Sequence, residues 1–299
     1  MRRNPKKDRS TWHAYRLLLP AAILIVAFYG YPLLNGIKLA FQHYVLVEPD
    51  NIHFCGMENF QRIFTDPNIG TILGNSLKWV LLTVGIQFIL GFLLALLLNR
   101  IFPGKNLYQA IVFLPWSISG FLIGIMFRWM FSEHNGVINL LLTKLGILHE
   151  AVPFLALPGT SLLTCITGMV WYGVPFFGIM ILAALQSIPG EVYESADMDG
   201  AGKVAQLFRI TIPYIKPTLI ITLLLRVIWV FNSADIIYIM TNGGPANSSH
   251  NLPSYIFSQV FNNTDFGQAS ALGVIMITLL AVYSVIFLKM TNYKESGDF

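Results

Sequence analysis

Two apolar runs carry the side chains best able to hold a polar solute. One run contains Trp171, Tyr172, Gly173 and Phe176, and the other contains Arg226, Trp229, Asn232, Ser233 and Asp235. Polar and ionisable groups at membrane depth are costly, and they face a bundle interior or a water-filled cavity when present. Those residues therefore read as the lining of a path. Tryptophan and tyrosine near span ends also serve as interfacial anchors, so the aromatic members are open to both roles. Arg226 and Asp235 are nine residues apart, about 13.5 Å along a straight helix. That separation prevents a close pair within one helix. Each is left either a salt bridge to another span or chain, or contact with the solute. Lys78 and Arg128, near span ends, are expected to snorkel.

A second constellation, Ser187–Pro217, holds the longest cluster of charges between two apolar runs: Glu191, Glu194, Asp197 and Asp199, then Lys203, Arg209 and Lys216. Ser187 and Pro189 suit a helix start, and Glu191 and Glu194 suit its positive first turns. Gly200 is the natural break. A second helix should follow, with Val204, Leu207 and Phe208 on one face, and Pro213 and Pro217 should mark the return to the membrane. The stretch reads as a helix-turn-helix knob shown to a partner.

The elements around these residues are built for a bilayer. Hydrophobic residues make up 55% of the 299 and charged residues 11%, against about 25% charged in an ordinary soluble domain. A span needs roughly 20 apolar residues, and six segments qualify: Leu17–Ile37, Leu77–Leu98, Tyr108–Phe131, Ser161–Leu185, Leu219–Met240 and Ala269–Leu288. Lipid offers no hydrogen bonds to backbone, so helices are expected. The runs do not alternate as barrel strands do. The basic N-terminus precedes an apolar run without a small-residue cleavage site, and is read as a retained first span. Of the lysines and arginines outside spans, only Lys38, Arg62 and Lys144 fall on the side opposite the N-terminus. The positive-inside rule then places both termini and Ser187–Pro217 in the cytoplasm. Residues 1–16 and 290–299 are expected as tails, with one six-helix domain at 17–289 containing the 187–217 loop. In the outer loops, Met57, Phe60, Ile63 and Phe64 recur at helical spacing and suggest an interfacial helix.

Enzyme chemistry finds no support. There is no P-loop and no Gly-x-Ser-x-Gly turn. The six histidines are scattered without metal-ligand spacing. Cys165 sits in an apolar run, so a disulfide framework is not expected.

The spacing Glu194-Ser195-Ala196, three residues, Gly200, nine residues, Ile210-Thr211-Ile212-Pro213 resembles the EAA signature of permease subunits of binding-protein-dependent ABC importers. Ser195 replaces the middle alanine and Ile212 a leucine. FLPWSISGFLIGIMFRWMF, the TNGGP at Thr241–Pro245 and the DFGQASALG at Asp265–Gly273 look like carbohydrate permeases, including the large maltose permease subunit, from about Gly56 to Lys289. The extra spans and large outer domain of that subunit are not seen here.

The resemblance implies an all-α, six-span type I importer permease in a bacterial inner membrane, itself non-catalytic. Its implied partners are a second homologous permease, two ATPase subunits, an extracellular solute-binding protein, a sugar and membrane lipid, with no nucleic acid. No cofactor is expected on this chain; ATP and magnesium belong to the ATPases. Glu191, Glu194, Ala196, Asp199, Gly200, Ile210 and Pro213 are the implied coupling residues. Sugar-contacting positions fall near Met169, Tyr172, Gly173 and Phe176, and near Arg226, Trp229, Val230 and Ser233, with Asn232 beside them. Trp171, Gly173 and Pro175 match the family pattern, and Phe176 is a close aromatic replacement. Met169 and Val230 stand where asparagines are usual, so maltose specificity does not transfer. Aromatic faces and directional hydrogen bonds suit sugars. Arg226 would also suit a phosphate ester or uronate, which a single arginine does not decide. The competing reading is an ion-coupled secondary transporter of a small polar solute, which would need an ion site and usually an inverted repeat.

Overall fold

The computed structural model describes the backbone of residues 5–100 and 103–291. Contacts divide it into two compact units: the described residues up to Thr65 with 259–275, and Asp66–Ser258 with the described residues from 276 onward. Among the described residues, five helical runs are long and apolar enough to cross a membrane: Tyr15–Leu39, Ile69–Leu98, Ser161–Gln186, Lys203–Met240 and Phe266–Met290. A sixth is a pair, Lys105–Ser117 and Gly120–Met130, bent by 95°. The expected tails are only partly described: helix begins at Pro5, and residues 1–4 and 292–299 lie outside the described residues.

In the first unit, α1 (Pro5–Ile25) and α2 (Tyr31–Leu39) are joined by a π turn. A small antiparallel hairpin follows, β1 (Gln42–His43) with β2 (His53–Phe54), pairing Gln42 with Phe54. It is a minor addition to the all-helical expectation. Helix α3 (Glu58–Thr65) forms over the stretch expected as a helical stripe. Phe60 and Ile63 are buried, while Met57 and Phe64 are exposed. Asn59, itself buried, donates to the Ala40 and Gln42 carbonyls. Arg62 pairs with Asp265 at 3.2 Å.

The second unit contains α4 (Ile69–Leu98), α5 (Lys105–Phe113), α6 (Gly120–Met130), α7 (Val137–Lys144), α8 (Ser161–Gln186), α9 (Gly190–Met198), α10 (Lys203–Gln206), α11 (Ile212–Asn232) and α12 (Asp235–Met240). Helices α13 (Leu252–Phe261) and α14 (Phe266–Met290) complete the chain. Helices α4 and α8 form the central pair. Their approach depends on small residues, as is usual where membrane helices meet. A Cβ on Gly91 would collide with the Cβ of Phe177, and one on Gly178 would press on Leu94. Trp79 is buried and donates from Nε1 to the Val230 carbonyl at 2.9 Å.

Two expected spans are interrupted. The third, expected over Tyr108–Phe131, is α5 and α6 at 95°. Pro115 has no N–H to continue the ladder. Ile118 and Ser119 are extended, and Ser119 Oγ accepts from Leu122 N as the cap of α6. The fifth is cut at Ser233, whose backbone is extended (φ −79°, ψ 116°). The carbonyl freed there accepts a hydrogen bond from Asn251 Nδ2 at 3.0 Å. Conversely, Pro213 is not a break. It sits in the first turn of α11, after a π turn over Leu207–Thr211, and helix runs from Lys203 past it.

The segment between α12 and α13 lies outside the spans, yet Ser249, His250 and Asn251 are buried and tied inward. Asn75 Nδ2 donates to the carbonyls of Ser248 and His250, at 2.7 and 3.1 Å. Ser76 Oγ accepts from Leu252 N at 2.8 Å. The His250 ring is 2% exposed, with Nδ1 2.9 Å from Ser254 Oγ. It packs so closely on Gly243 (φ +78°) that a Cβ there would collide with it. Burial pushes the His250 pKa down to about 4, below its ordinary value near 6.5. The unfolded loop thus binds the proton first. The stability contributed by neutral His250 is full above pH 6.5 and falls as the pH drops toward 4. Hydrogen exchange of residues 241–254 is expected to accelerate over that window. His250→Asn should flatten the dependence; an unchanged profile in that variant would refute the assignment.

Candidate functional site

Helices α8 and α11, the α5–α6 break and α13 line an open cavity of about 630 Å3, within the ~300–1,000 Å3 typical of small-molecule sites. Trp116, Met169, Tyr172, Trp229 and Phe257 supply its apolar and aromatic wall, and Arg226, Asn232, Ser233 and Asp235 its polar groups. Ser233 Oγ donates to Asp235 Oδ1 at 2.7 Å. A larger hollow of about 730 Å3 lies beside α4 and α5, lined by Ile86, Leu90, Val112, Val170 and other apolar residues. Thr167 and the Trp171 indole are its hydrogen-bonding groups, so the smaller cavity is the one equipped to hold a polar solute.

Arg226 organises the floor. It is 2% exposed. Its Nε donates to Gln87 Oε1 at 2.7 Å, and Gln87 Nε2 donates to the Met169 carbonyl at 2.6 Å. The guanidinium carbon lies 5.3 Å from the Phe176 ring centre and 6.0 Å from that of Tyr172, a cation–π arrangement. Phe176 packs in turn on Trp229 at 5.2 Å and Trp116 at 5.9 Å. Gly173 provides the room: a Cβ there would collide with the Arg226 guanidinium and the Gln87 amide.

Tyr172, Gly173, Phe176, Arg226, Trp229, Asn232 and Ser233 are thus brought to one place. Trp171 is not among them; it faces the apolar hollow and the Phe127 ring. Because the helix is cut at Ser233, Asp235 joins the same wall as Arg226, which a straight helix would not suggest. Gln87, Trp116 and Phe257 were missed. Gln87 was findable as a lone amide inside an apolar span. Phe257 carries no such signal.

The 187–217 stretch forms a closed turn. Helix α9 ends in a Schellman motif: Ala201 N donates to the Ala196 carbonyl, Gly200 N to that of Asp197, and Gly200 is left-handed at φ +75°. Asp197 accepts from Gln206 Nε2 and, at 3.0 Å, from Lys203 Nζ. Those bonds, Gln206 foremost, hold the Asp197 carboxyl below its usual range. Tyr193 Oη and Thr211 Oγ1 share a hydrogen bond of 2.9 Å across the two arms. Of the expected coupling residues, Ala196 is buried, Ile210 is half-buried, and Glu191, Glu194, Asp199, Gly200 and Pro213 are exposed. Met198, Val204 and Phe208 are also exposed, at 89%, 72% and 63%.

Residues 87–292 match the family described as binding-protein-dependent transport system inner membrane component. The chain belongs to that family. This permease is 33% identical over 282 residues to the sulfoquinovosyl glycerol transport system permease protein SmoG of Agrobacterium fabrum, covering 94% of this chain and 91% of that one. It is 31% identical to the arabinooligosaccharides transport system permease protein AraP of Halalkalibacterium halodurans, covering 95% and 89%. Its fold is similar to a chain of a bacterial ABC transporter involved in import of the acidic polysaccharide alginate, with a TM-score of 0.82 at 26% identity and coverage of 96% and 97%. It is also similar to a chain of a bacterial alginate ABC transporter solved in complex with an alginate pentasaccharide-bound periplasmic protein, with a TM-score of 0.81 at 26% identity and coverage of 96% of each chain. The expected type I permease fold is therefore present, and the ion-coupled alternative is set aside.

The permease's cavity floor yields a direct test. Gly173→Ala should cost about 1–3 kcal/mol through overpacking and lower the Tm of the purified protein. Gly74→Ala, where added bulk meets open space, should not. Equal Tm values for the two would show that Arg226 and Gln87 move aside freely.

Proposed function

We propose that this permease forms half of the translocation path of an ATP-driven sugar importer, in a bacterial inner membrane with both termini cytoplasmic. Family membership carries the reading, because the matched region spans both the cavity and the 187–217 turn. A solute-binding protein would deliver the sugar to the outer face. A second, homologous permease would complete the path beside Tyr172, Gly173, Phe176, Arg226, Trp229, Asn232 and Ser233. The named solutes of SmoG, AraP and the alginate transporter are saccharides or saccharide derivatives, which supports sugar as the class carried.

Two ATPase subunits would hold the ATP and magnesium; this chain would hold neither. Helix α9 and the Gly200 turn would seat in a cleft of one ATPase. Met198, Val204 and Phe208 suit such a seat as the apolar contacts, with Glu191, Glu194 and Asp199 around them. Closure of the ATPases would turn the cavity outward, and hydrolysis would reset it.

The complex co-expressed in lipid should hydrolyse ATP faster when its binding protein is loaded with sugar. Gly200→Asp should abolish that stimulation while leaving insertion intact, since it puts a charged side chain on the docking face at the turn. Gly202→Ala, extended and in open space, should retain it. Full stimulation in Gly200→Asp would remove the coupling role.

A further inference from the structure

We infer that the sugar carried is anionic, with its negative group seated on Arg226. This inference rests on the importer reading and adds the charge of the substrate. The observation behind it is an incomplete hydrogen-bond inventory. A guanidinium has five N–H donors in a rigid fork. In Arg226, Nε is satisfied by Gln87, whereas Nη2 is buried without a hydrogen-bond partner among the described residues. None of the ion pairs among the described residues involves Arg226.

A buried cation without a counter-charge is expensive, and the contacts that Arg226 does have offset only part of that cost. The faces of Phe176 and Tyr172 stabilise the cation, and the Gln87 amide fixes its orientation. Neither supplies a negative charge. Meanwhile Gln87 is itself held by the Met169 carbonyl, and Gly173 leaves no slack. The guanidinium is locked at the edge of the cavity, with Nη2 packed against Gly173 and its charge uncompensated among the described residues. A planar or tetrahedral oxyanion accepts such a fork through short charge-assisted bonds. A neutral hydroxyl offers a weaker acceptor.

The remaining carboxylate of the cavity is placed to avoid conflict. Asp235 lies beyond the helix break, and its Oδ1 is engaged by Ser233 Oγ. Asn232, next to that break, is six residues past Arg226, about 9 Å of helical rise. The cavity thus has a cationic end at Arg226 and a hydroxyl-reading end at Asn232, Ser233 and Asp235, with Tyr172, Trp229 and Trp116 along the sugar faces between them.

The test uses the complete transport complex in proteoliposomes with its binding protein outside and ATP inside. The probes are glucose, a glucose disaccharide and a glucose trisaccharide, each neutral and each with a carboxylate, sulfonate or phosphate at C6. The wild type should carry at least one anionic form in preference to its neutral counterpart. Arg226→Gln, first shown to insert and to assemble, should cut the anionic-to-neutral uptake ratio by about ten- to a hundredfold, the loss expected for one charged hydrogen-bond site. Arg226→Lys, which keeps the charge but not the fork, should lose less. A merely structural arginine would lower uptake of both forms together and leave the ratio unchanged; that result overturns the inference. Preferred uptake of neutral sugars also overturns it, with the importer reading intact. ATP-independent uptake, or none of any probe, removes the importer reading and the inference with it.

Discussion

The hydrogen bond from Arg226 to Gln87 is the interaction on which the rest of the second unit is arranged. It joins α11 to α4, and the onward bond from Gln87 to the Met169 carbonyl joins both to α8. Both bonds are buried, so one polar chain ties three helices together. The consequences spread outward. Gly173 is required because nothing larger leaves the chain intact. Phe176 and Tyr172 are set against the guanidinium, and Trp229 and Trp116 are set against Phe176. The cavity is thus the outer surface of a packed polar joint, and its aromatic wall inherits that rigidity.

Much of this was legible in the sequence, for identifiable reasons. The six apolar runs announce themselves because lipid forces helix on any long run that must cross it. The polar members of the fourth and fifth runs were legible because intramembrane polarity needs a reason to exist. The breaks were not. Pro115 and Pro175 look alike in sequence, yet α8 continues through Pro175 while the chain turns by 95° just after Pro115. The difference lies in Ser119 and Gly120, which start a fresh helix with its own cap. Ser233 gives no local warning at all. Its break is stabilised by Asn251, from a distant part of the chain, and such a partner is invisible to any reading by periodicity. The same break brought Asp235 onto a wall that a straight helix would have denied it.

The segment between α12 and α13 teaches a related lesson. It contains no lysine or arginine and several turn formers, which read as an unremarkable outer loop. In the fold its Ser249–Asn251 portion is buried, and the segment is anchored on Asn75 and Ser76. Turn residues were expected there from local chemistry alone. That their carbonyls would be claimed by one asparagine more than 170 positions away is a tertiary fact, and it explains why the loop holds the Ser233 break in place.

The uninterrupted helix from Lys203 to Asn232 also has a mechanical meaning. Arg226 is 23 residues beyond Lys203, about 34 Å of helical rise. A helix of that length can act as a lever. Tilting it by about 10° at the turn would sweep its far end through roughly 6 Å, twice the length of the bond to Gln87. A displacement small enough to leave the turn's own hydrogen bonds untouched is therefore large enough to unlatch the joint beneath the cavity.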